Sequence, residues 1–257
     1  MPMKNPPINR MQLILVRHGL SQWNKENRFT GWWDVPLIEE GIQEAKSAGK
    51  QLLKNDYEID IAYTSVLRRA VVTYNHICDE MDLYHVPIKR SWRLNERHYG
   101  ALTGLDKSET AEIHGMEQVM EWRRSYDIKP PAMEIEDRRA PHYDVKYKHV
   151  CKKILPLTES LKDTQKRVFP FFFDDIVASM MKGKKVLVVA HGNSLRSIVK
   201  FLENINNEDI TKLNIPTGIP LVYELDADLA ILSKKYLADK DELERKVTSV
   251  ANQANKK

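Results

Sequence analysis

The 257-residue chain predicts an α/β fold: a single domain with a mostly parallel central sheet flanked by helices, and an irregular cap segment over the carboxyl edge of the sheet. Three observations carry that prediction. Residues 12–16 and 185–190 are apolar after their first position and do not alternate, as expected of parallel strands covered on both faces. Stretches of helical periodicity separate them, giving the order strand, helix, strand, helix. Each apolar run also ends in a histidine, Arg17-His18-Gly19 in one case and His191-Gly192-Asn193 in the other, at the sheet edge where open α/β folds bind ligands.

The elements follow in order. Residues 1–10 are expected to be a disordered leader without the apolar stretch of a secretion signal, 11–238 the domain itself with its cap at about 92–155, and 239–257 a mobile tail. A helix over 39–54 places Ile42, Ala45, Gly49, Leu52 and Leu53 on one face, with Asn55 as its end cap. Residues 59–63 read as a short strand and 66–81 as a second helix opening on Arg68-Arg69. Residues 86–88 read as an edge strand because Pro87 cannot donate to a ladder. Across the cap, periodicity fades and Pro130, Pro131 and Pro141 interrupt the backbone. Ser160 to Asp163 is a helix-start box, its helix reaching Lys182 with a kink at Pro170 and a stop at Gly183. A helix over 194–202 would aim its amino terminus at the site, and 221–225 is expected to be the last strand.

Composition excludes several function classes. With 42% hydrophobic and 30% charged residues the chain is that of a globular protein. Its net charge of +4 comes from cations interleaved with acids, not from the basic stripe of a nucleic-acid binder. No stretch is long and apolar enough for a membrane span, and the two cysteines, Cys78 and Cys151, suggest a cytoplasmic protein without a disulfide framework or zinc site. The basic excess suits a small, highly anionic ligand.

Several residue clusters point to phosphate chemistry through a histidine. Ser21 and Asn24 place hydroxyl and amide groups just beyond His18, and Gly31 after Thr30 permits close backbone approach to a ligand. Glu96 lies among Arg93, Arg97, His98 and Tyr99, where it could be a general acid–base group or simply the ion-pair partner of Arg93 or Arg97. Arg123-Arg124 adds two guanidiniums. His76, His85, His98, His114, His142 and His149 show no ligand spacing, and Trp23, Trp32, Trp33 and Phe171 to Phe173 read as core or interface residues.

Across residues 13–226, the blocks LILVRHG, YTSVLRRA, RLNERHYG, EWRRSYD, AHGNSLRSIVK and LNIPTGIPL resemble the cofactor-dependent phosphoglycerate mutases of the histidine phosphatase superfamily. The resemblance implies interconversion of 3-phosphoglycerate and 2-phosphoglycerate in glycolysis and gluconeogenesis. It implies 2,3-bisphosphoglycerate as primer and no metal, with minor synthase and phosphatase activities. His18 would be the phosphohistidine nucleophile, kept neutral by the charge of Arg17 and held in one tautomer by a backbone carbonyl. Glu96 would exchange protons with the substrate hydroxyl, its pKa raised toward neutrality by phosphate charge, and His191 would stabilise the transition state.

Arg17, Arg69, Lys107, Arg123 and Arg124 would offset the anionic charge, with Ser21, Asn24, Thr30, Gly31, Tyr99, Gly192 and Asn193 as further substrate contacts. Arg68 and Arg97 would be structural. Leu20 and Ile38 depart from the usual acidic or amide residue and helix-capping serine, whereas Ser21 favours a mutase over a synthase. Val250 to Gln253 resembles a terminus that closes over the site, and Lys256-Lys257 could help hold bisphosphate. Relatives suggest a homodimer or homotetramer. The alternatives are a histidine-type phosphatase or a non-catalytic regulator, the latter expected to have lost His18, His191 or Glu96.

Overall fold

The computed structural model describes residues 10–251. The expectations for residues 1–9 and 252–257, including the reach of Asn252, Gln253, Lys256 and Lys257, lie outside the described residues. The chain runs β1 (Met11–Arg17), α1 (Gln22–Lys25), α2 (Glu39–Lys54), β2 (Ile61–Thr64), α3 (Arg68–Met81) and β3 (Ile88–Arg90). Then come α4 (Lys107–His114), α5 (Met116–Arg124), α6 (Leu161–Phe171), α7 (Ala178–Met181), β4 (Val186–Ala190) and α8 (Gly192–Leu202). The last elements are β5 (Leu221–Leu225), β6 (Ile231–Tyr236) and α9 (Lys240–Ala251).

The six strands form one sheet in the order β3-β2-β4-β1-β5-β6. The first four are mutually parallel; β5 and β6 are antiparallel additions. Alternate residues of the central strands enter two separate cores. Leu13, Leu15, Val186 and Val188 pack with Val168 and Phe172, and with Leu195 and Ile198 of α8. Ile14, Val16, Leu187 and Val189 pack with Leu52 of α2 and Ile77 of α3 on the other face. Burial on both faces is why these strands read as unbroken apolar runs. The chain leaves β1 for α2 on one face and β4 for α8 on the other. The edge between β1 and β4 is therefore a topological switch point, where an open sheet leaves a crevice.

The structure corrects five expectations. Residues 221–225 are not the last strand: β6 follows as an edge strand with Ser233, Lys234 and Lys235 exposed, so it carries no apolar signal. Leu53 is 55% exposed, and Ala48 fills the α2 face instead. The edge strand starts at Ile88, just after Pro87. The cap region contains two helices: α4 buries Lys107 and Thr110, while α5 buries Val119, Trp122 and both arginines, so neither displays a purely apolar stripe. Finally, the Ser160 capping box holds, but the helix passes Pro170 and continues as a π-helical turn over Phe172–Val177 before α7 and Gly183.

One close approach fixes the amino end of α2 against the turn after β1. A methyl group on Gly41 would sit 2.0 Å from the Leu20 carbonyl oxygen, and one on Gly19 would sit 2.0 Å from the Gly41 oxygen. Ile38 caps α2 without a side-chain hydrogen bond. Helix propensity alone makes Gly41→Ala stabilising by about 1 kcal/mol. The backbone contact reverses that sign, with an expected loss of about 1–3 kcal/mol from overpacking, read as a lower denaturation midpoint. An unchanged or higher midpoint would contradict the contact.

Candidate active site

The site is built from strand ends. Arg17 closes β1 and Ala190 closes β4, and the two are partners in the parallel ladder. The residues that follow, His18 and His191, therefore emerge side by side, tied by an N–H from His18 to the Ala190 carbonyl at 3.0 Å. Their ring centroids are 5.0 Å apart at 59°, and both rings are buried.

His18 has an assigned proton. Its Nδ1 lies 2.7 Å from the Gly19 carbonyl, which can only accept, so Nδ1 carries the hydrogen and Nε2 the lone pair. Arg69 Nε approaches that Nε2 at 3.3 Å. The Arg69 guanidinium is held by the carbonyls of Gly31 at 2.7 Å and Trp33 at 3.0 Å. Gly31 adopts φ +54°, with the backbone nitrogen of Tyr99 too close for a comfortable side chain. Burial drives the His18 pKa well below its usual value, helped by Arg69 and then Arg17. Arg17 acts as the sequence implies, but desolvation and Arg69 outweigh it.

Glu96 is held by backbone, not by an ion pair. Its Oε1 accepts from the N–H of Arg97 at 2.8 Å and of Asn193 at 3.0 Å, and among the described residues it has no salt bridge. Arg93 turns to the Arg167 carbonyl, and Arg97 to the Arg123 carbonyl and the Tyr99 hydroxyl. The Glu96 carbonyl accepts from Trp32 Nε1 at 2.6 Å and Arg167 Nη2 at 2.8 Å. Arg167 in turn grips Glu159 through two hydrogen bonds, both side chains being buried. Sequence reasoning missed this brace, because Glu159 and Arg167 look like ordinary charges just before and within a helix.

A cavity opens beside these groups. Its wall brings together Arg17, His18, Asn24, Thr30, Gly31, Arg69, Glu96, Tyr99, Lys107, Arg123, Arg124, Gly192 and Asn193 from the predicted set. It adds Arg28, Arg196, Asn214 and Ile215, whose side-chain and backbone roles no local pattern distinguishes, and Val250, from the segment expected to close over the site, lines it too. Two predicted residues stand behind the wall. Ser21 caps α1 and its hydroxyl lies 2.8 Å from Asn24 Oδ1. His191 lies tilted against His18, its Nε2 2.7 Å from the Ser65 hydroxyl. Leu20 is not on the wall. Arg97 is structural, as expected, but fully buried; Arg68 is exposed.

The wall carries seven cationic side chains and one carboxylate. Burial pulls Arg69 down to about 10 and Arg124 to about 9, Arg123 adding to the latter. Burial, then Arg123 and Arg17, push the Lys107 amine well below its usual range. Burial would raise the Tyr99 phenol, yet Arg97 and Arg123 carry it below normal. Arg17 Nε, Thr30 Oγ1 and His191 Nδ1 are buried without a hydrogen-bond partner among the described residues. Each such orphan costs roughly 1–3 kcal/mol, an expense that oxygens of a bound anion would remove. The arrangement can hold a polyanion against a neutral imidazole nucleophile. Among the described residues, no group of three or more His, Cys, Asp or Glu could hold a metal ion, and no helix is long and apolar enough to cross a membrane.

The buried imidazoles make stability depend on pH. His98 packs against Trp32, its Nδ1 accepts from Gly100 N–H, and burial lowers its pKa from 6.5 to about 3. The unfolded chain therefore binds the proton first. The stabilisation is full above pH 6.5 and is lost as pH falls toward 3. His18 and His191 shift in the same direction, from burial and Arg69. Denaturant midpoints should fall between pH 7 and pH 5, before most carboxylates titrate, and a His98→Gln variant should show a shallower fall. A flat profile over that interval would contradict neutral burial of these rings.

The sequence pattern of the histidine phosphatase superfamily (branch 1) matches residues 13–232. The chain is 53% identical over 247 residues to a 2,3-bisphosphoglycerate-dependent phosphoglycerate mutase of Treponema denticola, covering 96% of this chain and all of that one. Among solved structures, a mycobacterial hydrolase superposes with TM-score 0.65 at 20% identity, over 88% of this chain and 96% of the other. A mycobacterial glucosyl-3-phosphoglycerate phosphatase superposes with TM-score 0.62 at 22% identity, over 83% and 92%. These two likenesses show the fold. With a family pattern spanning both histidine-bearing strands, this chain belongs to the histidine phosphatase superfamily.

Proposed function

We propose that this protein is a cytoplasmic phosphoglycerate mutase that interconverts 3-phosphoglycerate and 2-phosphoglycerate through a phosphohistidine at His18. The observation that carries the reading is the His18 ring itself. It is neutral by burial, its Nδ1 hydrogen is committed to Gly19, and its Nε2 lone pair faces the Arg69 guanidinium beside a cationic cavity. The relative of Treponema denticola supports the substrate class.

2,3-Bisphosphoglycerate, when bound, supplies the phosphoryl group that charges His18. The donor set suits it: two phosphates and a carboxylate bring roughly −4 to −5 charges, which the cationic wall and the orphaned donors can meet. Arg17 and Arg69 would hold the phosphoryl oxygens nearest His18, with His191 donating to them from behind. Glu96, fixed by two backbone N–H groups, would take the proton from the substrate hydroxyl during transfer and return it afterwards. Asn24, Thr30, Gly31, Tyr99, Lys107, Arg123, Arg124, Gly192 and Asn193 would bind and orient the remaining anionic groups, and Ser21 would act through Asn24.

A mutase must keep water from the phosphohistidine. Helix α9 supports that requirement, because Val250 lines the cavity and its carbonyl accepts from Arg124 Nη2 at 3.2 Å. Minor synthase and phosphatase activities follow from the same intermediate, and a homodimer or homotetramer is the assembly proposed. Brief exposure to labelled bisphosphate is expected to place acid-labile, base-stable label on His18. Primed protein should then exchange the two monophosphates with a chelator present, and His18→Ala should lose label and exchange together. Phosphate release dominating over exchange would favour a phosphatase, and full activity in His18→Ala would overturn the proposal.

A further inference from the structure

Ser65 lies in the block YTSVLRRA, of which only Arg69 lines the cavity. It follows Thr64, the last residue of β2, and is fully buried. Strand β2 flanks β4 on the side opposite β1, with Thr64 level with Val189. Three adjacent strand ends thus deliver Ser65, His191 and His18 in a row. The Ser65 hydroxyl oxygen accepts from Leu67 N–H at 3.1 Å and lies 2.7 Å from His191 Nε2.

The protons can be counted. A hydroxyl has one hydrogen, and its other partner here is a donor. Among the described residues, His191 Nε2 is therefore the acceptor available to it. Were Nε2 protonated instead, two buried groups would go unsatisfied: the Ser65 hydrogen and the His191 Nδ1 lone pair, to which the neighbouring Ser194 N–H makes no side-chain cap hydrogen bond. With Ser65 donating, one remains, an Nδ1–H without a partner. We propose that Ser65 is a positioning residue that locks His191 in the Nδ1–H tautomer, so that the neutral ring beside His18 offers a hydrogen-bond donor. That the recipient is a phosphoryl oxygen in flight rests on the mutase reading; the tautomer does not.

The test uses the full-length protein with ring-¹⁵N histidine and long-range ¹H–¹⁵N correlation at pH 7, the His191 signals being assigned with His191→Asn. A protonated, pyrrole-type Nδ1 and a pyridine-type Nε2 are expected. Ser65→Ala should switch His191 to Nε2–H and lower kcat on the order of tenfold or more, as loss of one transition-state donor does, with little change in KM. Ser65→Thr, which keeps the hydroxyl, should restore both tautomer and rate. A pyrrole-type Nε2 in the wild-type protein would overturn the proposal whether or not the variants fold, as would Ser65→Ala keeping both its Nδ1–H and its kcat. Failure of the mutase reading would look different: the expected tautomer with no label on His18.

Discussion

The hydrogen bond from His18 Nδ1 to the carbonyl of the next residue decides what the site can do. It spends one ring nitrogen and leaves the other as a lone pair, so a single atom faces the cavity wall as nucleophile. That carbonyl is itself immobilised. The Gly19 N–H donates to Thr73 Oγ1 of α3 at 3.0 Å, and the backbone of Gly41 in α2 presses so closely on the turn that Gly19 has no room for a side chain against Gly41, nor Gly41 against Leu20. Two helices on one face of the sheet therefore aim a histidine at the edge of another strand. The tautomer is a property of packing as much as of the imidazole.

Around that ring the protein concentrates charge that it cannot neutralise with acids. It uses peptide dipoles instead. Arg17 donates to the Ile215 carbonyl, Arg69 to Gly31 and Trp33, Arg97 to Arg123, and Arg196 to Ile210 and Arg124. Carbonyl oxygens stabilise a guanidinium without cancelling its charge, so the field at the cavity survives burial. Removing six of these cations from water beside one carboxylate, Arg28 alone staying exposed, costs native stability, and this cost is the form that preorganisation for a polyanion takes here. Glu96 stays in place in this field because backbone N–H groups hold its oxygen while Trp32 and Arg167 hold its peptide. Had its carboxylate been paired with Arg93 or Arg97, a reacting hydroxyl would have had to compete with that pair.

The sequence revealed the elements buried on both faces and hid those that are not. Strands β1 and β4 announced themselves through unbroken apolar runs, and the histidines after them marked the crevice. Strand β6 gave no such signal because its side chains face water, and α4 and α5 gave none because the residues they bury include Lys107, Arg123 and Arg124. At the site, motif blocks identified side chains that reach the cavity, since residue chemistry is written in the sequence. Partners that are backbone atoms are not. Nothing local shows that Glu96 is held by the N–H of Asn193, nearly a hundred positions away, or that Ser21 serves Asn24 and not a ligand. Ser65 was hidden for a related reason: a serine between a strand and a helix reads first as a cap.

The most direct test of the nucleophile is the site of attachment on the ring. Phosphorus-31 resonance of the phosphorylated protein distinguishes an Nε2 from an Nδ1 phosphohistidine, and absence of the signal from His18→Ala treated in the same way assigns it to this residue. Attachment at Nε2 of His18 is the result that follows from Nδ1 being committed to Gly19. A phosphoryl group on Nδ1, or on another histidine, would contradict it.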